Sequence, residues 1–184
     1  MRNIFSVWSS IVFAMVIVAS GLNSMQRIPG KNPKTGRLSR FRFLLLLPYF
    51  CAICIVMLLS KFQSWFRSLD PVHEISKGVY VGEYFSSFSA RFRWRSIVDL
   101  TNELPRLGSC EKYLNIQAWD GCPPDVEGIS RAVRFLTTCP KPVLIHCAHG
   151  KGRSVTVAAA YLRSKGECST IDEAISKVCE SFLR

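Results

Sequence analysis

A chain of 184 residues has room for one compact domain with appendages, which excludes a two-domain enzyme built around a large cofactor fold. The composition is 48% hydrophobic and the mean hydropathy is +0.17, high for a water-bathed domain, so part of the apolar content is expected in lipid. The net charge of +11 is unevenly placed: residues 1–69 carry nine Lys or Arg and no acid, whereas residues 70–184 carry 15 basic and 13 acidic side chains. The basic excess thus flanks apolar runs, which argues for membrane headgroups and against nucleic acid as a partner.

Ile4 to Leu22 is a run of nineteen residues without charge, and Phe43 to Ser60 is a second of eighteen. Each approaches the ~20 residues that cross a hydrocarbon core. Between them Asn23–Arg42 holds six Lys or Arg, no acid, and the turn formers Pro29, Gly30, Pro33 and Gly36. The pattern predicts two transmembrane helices, 4–22 and 43–60, joined by a basic loop, 23–42. Two other readings stay open here: one run is a buried core helix, or the first is a signal peptide cut near Ala19-Ser20-Gly21.

Residues 61–70 read as a linker and 71–184 as the chemical domain. Val79–Val81, Ser96–Leu100 and Tyr113–Gln117 are predicted strands, and Pro123-Pro124-Asp125 opens a helix that runs through Ile129, Val133 and Leu136. The continuous apolar run Val143-Leu144-Ile145 is a buried strand by length and composition. A helix follows from Val155 to Leu162, ended by Gly166, and Ser169 can cap a last helix through Ser169-x-x-Asp172. Such alternation implies an α/β domain with a mainly parallel sheet.

The segment from Val143 to Ser154 is therefore strand, loop and helix start, and it contains Cys147-x5-Arg153 followed by Ser154. A loop of Ala148, His149, Gly150, Lys151 and Gly152 can curl so that its backbone N–H groups make a nest for a dianionic phosphate. The positive end of the following helix strengthens that field. Gly150 and Gly152 permit tight backbone angles, and Arg153 can hold two phosphate oxygens through its planar fork. A Cys147 thiolate in that field is a nucleophile.

His146-Cys147-x5-Arg153-Ser154 resembles the signature of the cysteine-dependent protein tyrosine and dual-specificity phosphatases, and the resemblance spans roughly Ser76 to Phe182. It implies a dual-specificity-phosphatase-like α/β fold without metal or organic cofactor. By resemblance, Cys147 attacks phosphorus to form a cysteinyl-phosphate, Arg153 holds the equatorial oxygens, and Ser154 hydrogen-bonds the departing thiolate. The family's general acid is an Asp on an upstream loop. Asp120, at the end of the segment Tyr113–Trp119, is the candidate, and its competitor Asp125 is better explained as a residue of a helix first turn.

Asp99 and Glu103 could position the loop or Arg153, and His146 is expected to support the loop from behind. A zinc site made of His146, Cys147 and His149 fails for want of a fourth ligand at paired spacing. The seven other cysteines show no framework spacing and read as packing residues, Cys122 near the acid loop being the one that would serve Cys147 as a redox partner if any did. Lys151 resembles a basic loop residue of lipid-directed members, although Ala148 stands where a second loop Lys would be. Expected substrates are accordingly a phosphorylated protein or an anionic phospholipid headgroup. An inactive membrane adaptor and a rhodanese-like sulfur carrier are the competing readings.

The expected location is an integral membrane protein with two spans. Its orientation is contested: the positive-inside rule puts the basic loop in the cytoplasm, whereas a free thiolate wants its domain in a reducing compartment. The family's final helix has no counterpart before Arg184, so the fragment 70–184 is expected to be of low stability.

Overall fold

Residues 2–21, 30–66, 72–88 and 91–182 are described by the structure, a computed structural model. Five strands form one sheet: β1 (Val72–Ser76), β2 (Val79–Gly82), β3 (Ser96–Asp99), β4 (Lys112–Asn115) and β5 (Val143–His146), in the order β1-β2-β5-β3-β4. Among the described residues only the β1–β2 pair is antiparallel, which accords with the mainly parallel sheet expected. Strand β1 escaped the sequence reading because Val72-His73-Glu74-Ile75-Ser76 lacks clean alternation. It carries an irregularity between Glu74 and Ser76.

All four residues of the central strand β5 are buried, as a strand covered on both faces requires. Val143 and Ile145 face the core built with Leu136 of α4 (Val126–Thr138), Val157 and Leu162 of α5 (Arg153–Ser164), and Val178 of α6 (Ile171–Ser181). Leu144 faces the other side, with Val72, Trp94 and Ile97. The cap of α6 is displaced by one residue from the expected Ser169. The Glu173 N–H donates to Thr170 Oγ1 at 3.1 Å, and Ser169 N–H donates back to Glu173 Oε2 at 2.6 Å.

The N-terminal third departs most from expectation. Helix α1 (Arg2–Gly21) takes up the first apolar run as far as Gly21, but the second is broken at Leu46 into α2 (Arg40–Leu45) and α3 (Leu47–Phe66), and α3 continues through six residues of the expected linker. Among the described residues no helix is long and apolar enough to cross a membrane, which overturns the reading of a two-span integral membrane protein. The apolar faces have protein partners instead. Val12, Leu46 and Phe50 pack with Trp119, and Met57 packs with Tyr84, Leu104 and Ala148. Other apolar side chains of these helices, among them Ile17, Leu44, Ile55, Leu58 and Leu59, stay exposed.

Part of the expected basic loop is folded onto the sheet domain: Gln117 Nε2 donates to the Lys31 carbonyl at 2.7 Å, and the Arg106 N–H to the Gly36 carbonyl at 2.9 Å. Residues 22–29 of that loop and the end of the linker, 67–70, lie outside the described residues.

Candidate active site

Strand register sets the site. Gly82, Asp99 and Asn115 stand level with His146 along the carboxyl edge of the parallel strands, so the loops after β2, β3, β4 and β5 converge there. The last of them is Cys147–Gly152, which leads into α5 with Gly152 as its N-cap.

Cys147 is buried, and its Sγ accepts a hydrogen bond from the Gly150 N–H at 3.2 Å. Ser154 Oγ lies 3.4 Å from the same sulfur. The Gly150 N–H is thus turned inward, as an anion-binding nest requires. Gly150 has φ +74°, and a Cβ there would stand 2.9 Å from the Gly82 carbonyl, so glycine is needed on both counts. Gly152 differs: its φ is −118° and a Cβ would meet nothing within 4 Å.

Arg153 starts α5 and points back under the loop. Its Nη1 donates to Glu103 Oε2 at 3.2 Å and to the Ala118 carbonyl at 2.7 Å, while Nη2 donates to Glu103 Oε1 and Asp120 Oδ1, both at 2.9 Å. Burial works against the charged guanidinium, but the Glu103 carboxylate outweighs it and holds Arg153 well above its ordinary range. Of the two acids considered for positioning, Glu103 reaches Arg153. Asp99 instead sits in a buried cluster in which Lys31 Nζ (2.6 Å), Tyr113 OH (2.6 Å) and Thr101 Oγ1 (2.6 Å) all donate to its carboxylate.

His146 is buried, with Nε2 3.9 Å from Asp99 Oδ1 and Nδ1 3.4 Å from the Cys147 carbonyl oxygen, so it does lie behind the loop. Burial lowers its pKa, and the Lys31 ammonium adds to that against the opposing pull of Asp99.

A cleft of about 550 Å³ opens above these groups, lined by Cys147, His149, Lys151, Gly152 and Arg153 from the loop and helix and by Asp120, Gly121, Cys122 and Pro123 from the loop after β4. The structure therefore brings together Cys147, Arg153, Asp120, His149 and Lys151. Ala148 is turned away, buried against Met57 of α3. Asp125 lies apart as the cap of α4, its Oδ1 accepting the Gly128 N–H at 2.7 Å.

Sequence reasoning missed Lys31, Tyr113 and the wall that α3 adds. Tyr49 of α3 meets the Trp119 ring edge-on at 6.3 Å. Burial first, then the Glu103 and Asp120 carboxylates, hold the Tyr49 phenol above its ordinary range.

Among solved structures the chain is similar to Tk-PTP in its active form, with 26% identity and a TM-score of 0.50 over 60% of this chain and 84% of that one. It is also similar to DUSP15, with 16% identity and a TM-score of 0.53 over 60% and 75%. A human tyrosine phosphatase-like serine/threonine/tyrosine-interacting protein matches at 20% identity and a TM-score of 0.50 over 60% and 83%. The fold is that of the dual-specificity and tyrosine phosphatases. No family model matches the chain, and no curated protein matches it.

Proposed function

We propose that the protein hydrolyses phosphomonoesters through a cysteinyl-phosphate. The observation that carries this reading is the Cys147 sulfur held by the inward Gly150 N–H at 3.2 Å, in a cleft that Arg153 and Asp120 also line. The Cys147 thiolate attacks phosphorus, the bond from phosphorus to the ester oxygen breaks, and that oxygen takes a proton from the Asp120 carboxyl. Water then attacks the cysteinyl-phosphate, giving its proton to Asp120, and the sulfur–phosphorus bond breaks to release inorganic phosphate. Ser154 Oγ, 3.4 Å from the sulfur, hydrogen-bonds the thiolate as it leaves.

Arg153 serves both steps. Glu103 fixes its guanidinium from behind, and the Nη2 that now bonds Asp120 turns to phosphate oxygens when substrate enters. That exchange frees Asp120 for proton transfer. His149 and Lys151 border the same cleft, where Lys151 adds a cation for the substrate's phosphate. Residues 71–184 are read as the catalytic unit.

The fold alone does not separate an enzyme from a phosphate-binding adaptor. What favours catalysis is the joint presence of nucleophile, anion cradle and acid, because binding needs only the cradle. Phosphate release from an aryl phosphate by the full chain in reductant tests the reading, with Cys147→Ser alongside. Turnover that vanishes in the variant upholds the cysteine mechanism and opens a comparison of phosphopeptide with phospholipid substrates. A folded wild type that releases no phosphate sinks it and leaves the adaptor.

A further inference from the structure

We infer that helix α3 builds an apolar subsite beside the phosphate cleft, and that this subsite takes the organic part of the substrate, an alkyl or aryl group carried by the ester oxygen. The inference rests on the phosphatase reading above and names the substrate chemistry that the reading leaves open.

Helix α3 lies across the carboxyl edge of the sheet. Its Met57 packs on Tyr84, Leu104 and Ala148, from the loops after β2, β3 and β5, and its Phe50 packs on Trp119 after β4. Between the helix and these loops remains a second cavity of about 160 Å³, walled by Ala52, Ile53, Val56 and Met57 on one side and by Asp120 and His149 on another. Asp120 and His149 also line the 550 Å³ cleft, so the two spaces adjoin at the candidate acid. Glu103 borders the cavity too, but both its oxygens are engaged by Arg153, at 2.9 and 3.2 Å.

An aliphatic wall therefore stands on one side of Asp120 and an anion cradle on the other. A phosphomonoester that takes its proton from Asp120 has its ester oxygen at that junction and its carbon substituent next to the wall. A space of this size whose helix side is aliphatic, with Ala148 opposite, suits a ring system or a short alkyl chain better than a polar headgroup. Each added ring or run of methylenes that leaves water there raises affinity, by roughly tenfold for the second ring of a naphthyl group.

The test uses the full chain and compares kcat/KM for phenyl phosphate and 1-naphthyl phosphate, whose leaving groups are of similar basicity. The naphthyl ester should be favoured roughly tenfold, mainly through KM. Ala52→Trp, which fills the cavity, and Val56→Asp, at an exposed position that tolerates charge, should each bring the naphthyl-to-phenyl ratio close to one. Equal rates in the wild type, or a ratio unmoved by both variants, overturn the subsite.

Binding of methyl-, hexyl- and phenylphosphonate, followed by calorimetry, separates alkyl from aryl occupants and needs no turnover. Should neither ester be hydrolysed, the phosphatase reading fails by itself. Tighter hexyl- or phenylphosphonate binding would still uphold the subsite, and equal binding of all three would remove it.

Discussion

Lys31 and Asp99 are both fully buried, 2.6 Å apart and 68 positions apart in the chain. Removing one partner strands the other's charge, so Lys31→Met should cost about 3–5 kcal/mol in denaturant unfolding, and Lys31→Met with Asp99→Asn should recover most of it. Burial alone would raise the Asp99 pKa, but Lys31 and then His146 outweigh it and hold it at about 2, against 3.8 ordinarily. A depressed carboxylate stabilises the fold above its unfolded pKa and loses that contribution as pH falls through the folded value. Wild-type stability should thus decline as pH drops from about 4 toward 2, and the double variant should decline less in that window. At the acid, Asp120→Asn should lower aryl phosphate turnover by ~10²–10⁴, whereas Asp125→Ala should cost about 1 kcal/mol of stability and little rate. Cys147, Arg153 and Ser154 stood out in the sequence because one short loop and the first turn of the helix after it hold them within eight positions. Lys31 was not, since its charge merged into a basic run and its partner is remote in the chain. Which of Asp99 and Glu103 meets Arg153 was equally hidden, because strand register and the path of the loop after β3 decide it.

Elements with strong local signals were read correctly in kind. Strands β2, β3, β4 and β5 and helices α4, α5 and α6 all appear near their predicted positions, whereas β1, with its broken alternation, does not announce itself. The start of α6 shows how close two caps can lie in sequence. Ser169 and Thr170 both fit an N-cap, and only the observed bond from the Glu173 N–H to Thr170 selects between them. Thermal melts should show Thr170→Ala losing about 1 kcal/mol, and Ser169→Ala only a few tenths, because Ser169 contributes its backbone N–H. The apolar runs of the N-terminal third were legible as helices but not in their destination. Hydropathy counts apolar residues without revealing whether lipid or Trp119, Tyr84 and Ala148 will cover them.

Across the whole molecule, the segment before β1 contributes to the fold of the sheet domain in two ways, through Lys31 on Asp99 and through α3 over the loops. A fragment beginning at residue 70 loses the counter-ion of Asp99 and uncovers Trp119, Tyr84, Leu104 and Ala148. It should melt well below the full chain and bind more of a hydrophobic dye, and equal melting temperatures would show that the N-terminal segment is dispensable. The span between α3 and its partners also bears on synthesis. Phe50 and Met57 leave the ribosome long before Trp119 and Ala148, and at about 5–20 residues per second the interval is several seconds to about 20 s. For that time α3 can lie against α1, through Val12 beside Leu46 and Phe50, but the partners of Met57 are not yet made. Handling of the nascent chain therefore bears on expression of this protein alongside final stability.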